Sequence, residues 1–238
     1  MNTRARAESA VLVATAALSF AVFAAAARAY PGGTHFDHGS VGHDFWRNTL
    51  CDVARTVALD GTPNACACTL ARIGMTLLAV GLGVLFGALP RLFPARARLG
   101  RAVRVLGLAS TPFAIAVVLL PTDRFSQLHG VAIVIAGTLG LGAVLLAIKG
   151  LFSDARVSPP IVFLGVVTLS VAAVDFGLYV AEFVTQGPPQ LAVPVLERLS
   201  TLLLLAWMLA VARAVYRLGV QSLARPSVQG AARSRRLP

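Results

Sequence analysis

Six apolar segments, each about as long as a membrane is thick, alternate with polar connections along this chain. A helix needs about 20 residues to cross a hydrocarbon core of about 30 Å. Because 57% of the residues are hydrophobic and only 13% are charged, too few polar residues remain to cover a soluble globule. The sequence predicts an all-α polytopic membrane bundle, with residues 1–216 forming one domain of six transmembrane helices. The predicted segments are 9–27, 73–92, 103–120, 131–148, 161–184 and 191–211.

Arginine and the acidic residues fall at opposite ends of this predicted bundle. Arginine crowds both tails and the connections after the second and fourth segments, whereas the histidines and most acids lie in or beside the other three connections. By the positive-inside rule the arginine-rich end is cytoplasmic, so both termini lie inside a bacterial cytoplasmic membrane. Orientation and anionic lipid headgroups then account for the net charge of +11, and nucleic acid is not expected as a partner.

The first segment has a second interpretation. Arg4 and Arg6, the apolar run and the small residues at 27–29 also fit a secretory signal peptide. Cleavage there would leave five helices, and the next connection would still lie outside. The length of the apolar run favours a retained helix.

The first connection, 28–72, is too short for a core of its own. Within it, Trp46, Leu50, Val53 and Val57 recur at helical spacing, which predicts an amphipathic surface helix over 44–60. At the other end of the chain, residues 217–238 are basic, and we expect a disordered cytoplasmic tail.

Small residues gather in the second and fourth segments. Gly83 and Gly87 form a G-x-x-x-G pair, and Gly137, Gly140 and Gly142 crowd one stretch. Such faces allow helices to approach closely. They predict packing either within the bundle or against another membrane protein, including a second copy of the chain.

Asp175 lies inside the fifth segment, about 14 residues from its predicted cytoplasmic end. At about 1.5 Å per residue this is about 21 Å into the core, where an acid is a functional candidate by default. Tyr179 and Glu182 follow on the same helical face, and we predict that both bind a ligand. The alternative is an acid that fixes helix packing through Arg72 or Arg198.

Asp123 and His129 lie where the third connection meets the fourth segment. Their spacing fits an acid/base or metal-binding pair, and it fits equally well a turn in which Asp123 caps the following helix. If Asp52, Asn48 and Asp175 converge with them, they form an outward-facing polar pocket in which we predict that Asn48 and Asp52 bind the ligand. Asp123, His129 and Asp175 would then be candidate ligands of Zn²⁺, which could activate water against a lipid ester or amide.

His35, His38 and His43 interleave with acids over a glycine-rich stretch. Their spacing matches no metal site that we can defend, and a solvated loop is the simpler interpretation. The sequence also contains no glycine-rich phosphate loop, nucleophile elbow or HEXXH helix.

Three short motifs carry a resemblance to a known family. They are NTLCD at 48–52, GTPN at 61–64, and PTD at 121–123 followed by His129. From residue 30 through the sixth segment the chain resembles the bacterial domain-of-unknown-function 998 family, and more distantly the DRAM and Frag-type six-helix membrane proteins. The resemblance implies a six-helix bundle with polar residues at its outer ends, and it implies no reaction. Such families usually carry Ser where this chain has Cys51.

Three functions are compatible with these residues. The first is a non-enzymatic membrane component that binds a lipid headgroup or a membrane partner and needs no cofactor. The second is a zinc-assisted lipid hydrolase with Asp123, His129 and Asp175 as catalytic residues. A small-solute or proton-coupled transporter is the third, although neither an inverted repeat nor a pair of broken helices is visible.

The predicted orientation can be tested through the cysteines. Cys51, Cys66 and Cys68 lie in or near the first connection, where Cys51 could pair with either of the others. After reduction, a membrane-impermeant thiol reagent should label Cys66 or Cys68 from the outside only. Labelling from the cytoplasmic side would overturn the orientation.

Overall fold

The computed structural model describes residues 3–155 and 157–224, and most of these residues are helical. Six of the helices in this part of the chain are long and apolar enough to cross a membrane. The predicted all-α bundle of six spans is therefore confirmed, and the chain is a multi-pass membrane protein. The helices are α1 (Thr3–Ala29), α2 (Leu50–Val53), α3 (Ala65–Ala88), α4 (Ala97–Leu119), α5 (Thr122–Phe152), α6 (Pro159–Thr185) and α7 (Ala192–Ala224), with a 3-10 turn at Leu89–Leu92.

The helices run past the ends of the apolar segments that predicted them. Helix α5 begins at Thr122, with a non-helical residue at Phe125, whereas its apolar segment begins at 131. Helix α7 continues to Ala224, so the predicted boundary between domain and tail at 216/217 is wrong. The rest of the predicted tail, 225–238, lies outside the described residues.

The six long helices form a closed ring in which each packs against its neighbours in the chain and α7 returns to α1. The contact between α5 and α6 is the least extensive in the ring. One end of the bundle, which we name the cap end, carries residues 30–64 and the turns that follow α4 and α6. The opposite, basic end carries the start of α1, the end of α7 and the turns that follow α3 and α5. There, Arg91 makes two hydrogen bonds to Glu8, at 2.6 and 2.8 Å.

Glycines provide space for aromatic rings from adjacent helices. A Cβ at Gly107 of α4 would lie 2.1 Å from Phe86, and one at Gly130 of α5 would lie 2.1 Å from Phe183. Gly137 faces Phe176 in the same way, at 2.3 Å. These contacts let helices approach closely and fix how each is rotated about its axis.

Most of the predicted glycine faces lie against helices of the same chain. Gly83 faces Thr111 of α4, while Gly140 and Gly142 face Ser110 and Leu106 of α4. Gly87 has open space where a side chain would begin. Assembly with a second copy or another membrane protein stays a prediction.

Residues 30–64, which we name the cap, fold over one end of the bundle. The short helix in this connection is confirmed, but it covers only Leu50–Val53, so the predicted helix over 44–60 is wrong. Before it, Asp44 turns the chain by accepting hydrogen bonds from the N–H groups of Trp46 and Arg47. These local bonds compete with helix formation.

The glycine contacts generate a stability prediction. Gly107→Ala forces a Cβ against the buried ring of Phe86, and overpacking of this kind costs about 1–3 kcal/mol. Thermal unfolding in detergent should therefore show a lower midpoint. Gly87→Ala is the matched control, because its Cβ meets nothing and alanine favours the helix. Equal losses in the two variants would contradict the packing described here.

Candidate functional site

The cap is fastened to α7 by two adjacent charged residues. Glu197 accepts a hydrogen bond from the N–H of Leu50 at 2.9 Å. Arg198, which is only 5% exposed, donates to the carbonyl of Asn48 at 2.7 Å and lies 3.3 Å from His43 Nε2. The two side chains also form an ion pair with each other at 3.5 Å. Together they join the start of α2 to the bundle.

Asn48, a predicted ligand-binding residue, has a structural position. Its side chain donates to the carbonyl of Gly33 at 2.8 Å and accepts from the N–H of Asp44 at 2.9 Å. It is buried and lies outside the lining of the cavity described below. Its amide holds the cap together.

Asp123 fastens the cap to the turn between α4 and α5. Its carboxylate accepts hydrogen bonds from the backbone N–H groups of Thr56 and Val57, and from the Thr56 hydroxyl. No side chain caps the start of α5, so the alternative in which Asp123 caps this helix does not hold. Like Asn48, Asp123 does not line the cavity.

Asp52 stabilises the start of helix α2 and also holds His35. Its carboxylate accepts from the N–H of Thr49 at 2.7 Å, and its own N–H donates to the Thr49 hydroxyl at 3.1 Å, which forms a capping box. The other carboxylate oxygen lies 3.0 Å from His35 Nε2. This hydrogen bond raises the pKa of His35, while partial burial opposes the shift.

A cavity of about 520 Å³ lies beneath the cap, between α5, α6 and α7. Its polar lining comes from two sources, the cap and the helices. Apolar and aromatic side chains, including Phe176, Phe183, Ile133 and Val193, complete the wall. The polar lining residues include His35, Arg47, Cys51, Asp52, Arg55, Thr122, Ser126, His129, Asp175, Tyr179, Glu182 and Glu197.

His129 presents one ring nitrogen that the protein does not use. Its Nδ1 lies 2.6 Å from the carbonyl of Leu120. A carbonyl can only accept, so Nδ1 carries the proton and Nε2 of the neutral ring is an acceptor. The side chain is 4% exposed, and among the described residues its Nε2 has no hydrogen-bond partner.

Asp175, Tyr179 and Glu182 line the cavity from one face of α6. The only hydrogen bond to Asp175 in the described chain is a long one, 3.4 Å from the Ser200 hydroxyl. The expected partners Arg72 and Arg198 form no ion pair with it; Arg198 is used by the cap.

The three residues predicted to bind zinc do not share one wall. His129 and Asp175 line the cavity, whereas the Asp123 carboxylate is occupied by Thr56 and Val57. In the described part of the chain, no three His, Cys, Asp or Glu side chains are grouped closely enough to hold a metal ion. The zinc site stays a prediction.

The cap histidines each have a different partner. His35 bonds to Asp52, His38 lies 3.0 Å from the carbonyl of Leu59, and His43 contacts Arg198. All three cysteines are free thiols, and Cys51 lines the cavity. The histidine-rich stretch therefore takes part in contacts within the cap and between the cap and α7.

Sequence reasoning missed the pair Glu197 and Arg198 as organisers of the site. The sequence does contain a signal for this pair, because a Glu–Arg pair six residues inside an apolar segment is costly in a membrane unless it has partners. The sequence does not identify those partners, which are backbone groups of Leu50 and Asn48.

Comparison of the chain with protein-family models, with curated proteins and with solved structures gave no match. The resemblance to the domain-of-unknown-function 998 family therefore stays a prediction. The fold defines the class, a multi-pass membrane protein.

Two cap histidines generate opposite pH dependences. Burial and the positive charge of Arg198 lower the pKa of His43 from 6.5 to about 4. The contribution of His43 to the free energy of unfolding is therefore present above pH 6.5 and is lost as the pH falls toward about 4. The pKa of His35 is raised. Its contribution to the free energy of unfolding is therefore present below pH 6.5 and is lost as the pH rises through the pKa of His35 in the folded protein.

Thermal unfolding across this pH range can separate the two effects. The variant His43→Gln should lose less stability than the wild type on acidification, whereas His35→Gln should lose less on the alkaline side. Identical pH profiles for the wild type and both variants would contradict these assignments.

Proposed function

We propose that the protein binds the polar end of a membrane lipid in the cavity beneath the cap. In this proposal the cap end faces outward from a bacterial cytoplasmic membrane and both termini lie inside, as the positive-inside rule predicts. The cavity carries the proposal, because it combines unused polar groups with an apolar wall at one end of a membrane-spanning bundle.

The size and lining of the cavity support a lipid ligand. A volume of about 520 Å³ lies within the range of about 300–1,000 Å³ common for small-molecule pockets. Phe176, Phe183 and Ile133 offer apolar surface for the upper part of an acyl chain. Tyr179 and Glu182 offer polar contacts to a headgroup.

The surroundings of the cavity support access from the membrane. It lies beside α5 and α6, which make the least extensive contact in the ring. On the cap, Phe45 and Trp46 are about half exposed and stack edge to face. Such aromatic side chains favour the headgroup zone of a bilayer.

The positions of the three candidate zinc ligands favour lipid binding over zinc-assisted hydrolysis. Hydrolysis by Asp123, His129 and Asp175 would require Asp123 to leave Thr56 and Val57, which hold the cap in place. A headgroup ligand requires no such change. A transporter would need a route to the basic end, and no observation favours one.

Photo-crosslinking tests the proposal. Protein in lipid nanodiscs would be irradiated with a phospholipid that carries a diazirine near the top of one acyl chain, and the crosslinked peptides would be mapped. Crosslinks should concentrate on cavity-lining peptides of α5 and α6. Ser126→Trp, which fills the cavity from α5, should reduce them by on the order of tenfold.

Gln127→Trp is the matched control. Gln127 is exposed beside Ser126 but does not line the cavity, so this variant should crosslink like the wild type. If the two tryptophan variants behave alike, or if crosslinks spread evenly over the lipid-facing helices, the cavity is not a lipid site.

A further inference from the structure

The basic end of the bundle carries a charged surface far from the cavity. The stretch 89–105 contains five arginines and no acidic residue. Arg91 is bonded to Glu8. The other four arginines are exposed, and they are Arg96, Arg98, Arg101 and Arg104. A surface of one charge therefore remains open at this end of the bundle.

Three of these arginines share one face of α4, which we name the basic face. Arg98, Arg101 and Arg104 are spaced three residues apart, so they lie on successive turns of the same side of the helix. All three are exposed, whereas Gly100 and Val103 between them are buried against the bundle. The basic face is thus the side of α4 that points away from the protein.

The guanidinium groups of the basic face have no acidic partner in the part of the chain that the structure describes. The ion pairs found there involve other cations. Arg104 donates one long hydrogen bond, 3.4 Å from its Nε to the carbonyl of Gly87, and its terminal nitrogens have no partner among the described residues. A guanidinium held in this way can still donate to a phosphate.

The position of Arg104 along α4 distinguishes it from a charge that only sets orientation. It is the eighth residue of the helix, about 10 Å beyond the helix start at about 1.5 Å per residue. Val105 and Leu108, which follow it on the exposed side of the helix, are 60% and 52% exposed. An arginine beside apolar, lipid-facing residues is costly unless a partner neutralises its charge.

Open space adjoins Arg104 on the neighbouring helix. Gly87 of α3 has no atom within 4 Å of the position that a Cβ would occupy, although its carbonyl lies beside the Arg104 guanidinium. One turn away along α3, Gly83 packs against Thr111 of α4. The seam between α3 and α4 therefore has little side-chain bulk next to the basic face, which leaves room for a hydrocarbon chain.

We infer that the basic face binds an anionic phospholipid. The phosphate accepts hydrogen bonds from Arg101 and Arg104, and an acyl chain lies against Leu108 and the open surface at Gly87. Basic surfaces beside transmembrane helices are suited to such headgroups. The apolar surface next to the arginines favours a lipid over a free phosphate. This site lies at the opposite end of the bundle from the cavity and does not depend on the proposed function.

Charge selects the class of lipid at this site. A zwitterionic headgroup would bring an ammonium close to several guanidinium groups, and like charges repel each other. A headgroup with a net negative charge meets only attraction. Arg96 and Arg98 extend the positive surface beyond Arg101, so a lipid with a second phosphate can also be accommodated.

Native mass spectrometry of the full chain, released from detergent, tests the inference. The chain carries Ser126→Trp, which fills the cavity, so that lipid bound there does not contribute. The probes are phosphatidylglycerol, cardiolipin and phosphatidylcholine. Both anionic lipids should bind on the order of tenfold more tightly than phosphatidylcholine, and excess inorganic phosphate should not displace them. Equal binding of all three lipids, or displacement by phosphate, would overturn the assignment.

A pair of double variants locates the site. Arg101→Gln with Arg104→Gln should weaken phosphatidylglycerol binding on the order of tenfold, because two juxtamembrane charges are lost. The matched control is Arg213→Gln with Arg217→Gln, which removes two exposed arginines from α7 at the same end of the bundle. The control should bind phosphatidylglycerol like its parent. Equal losses in the two double variants would show general attraction to the basic end and no site on α4.

The outcomes separate this inference from the proposed function. If Ser126→Trp alone abolishes phosphatidylglycerol binding, the bound lipid lies in the cavity and the site on the basic face is wrong. If Ser126→Trp leaves this binding unchanged and the α4 double variant removes it, the site on the basic face is supported whether or not the cavity binds a lipid. Because all four substituted arginines are exposed, similar unfolding midpoints are expected for both double variants.

Discussion

Glu197 and Arg198, adjacent on α7, hold the cap against the helix bundle, and the cavity depends on them. Removing a guanidinium from water costs on the order of several kcal/mol unless hydrogen bonds and an opposite charge offset it. Glu197 supplies the charge, and the carbonyl of Asn48 supplies a hydrogen bond. Because that carbonyl belongs to the cap, the arginine gains this hydrogen bond only when the cap is docked. The docked cap then contributes one wall of the cavity.

The polar residues at this end of the bundle divide into two groups with different roles. The side chains of Asn48, Asp52 and Asp123 form hydrogen bonds to other groups of the protein, either within the cap or between the cap and α5. Glu182 lines the cavity without a salt bridge among the described residues, and the Nε2 atom of His129 is buried without a hydrogen-bond partner there. The presence or absence of a hydrogen-bond partner in the protein therefore separates residues that build the site from those available to a ligand.

Packing within the membrane sets the direction in which the available groups point. Phe183 fits against Gly130 and Phe176 against Gly137, so the rotation of α6 relative to α5 is fixed at two levels. This rotation places Asp175 and Glu182 along the cavity instead of toward lipid. The glycines of α5 thus support both the stability of the bundle and the geometry of the site.

Local properties of the sequence determined the six spans and the alignment of Asp175, Tyr179 and Glu182, because segment length, hydrophobicity and helical spacing need no distant partner. The helix predicted over 44–60 was wrong because local hydrogen bonds of Asp44 compete with it. The alternative in which Asp123 caps α5 was wrong for the opposite reason. Asp123 bonds to Thr56, 67 positions away in the chain, and that contact exists only after the bundle has formed. Only the tertiary structure decided which polar groups are satisfied, since a hydrogen bond between distant segments leaves no periodic trace in the sequence.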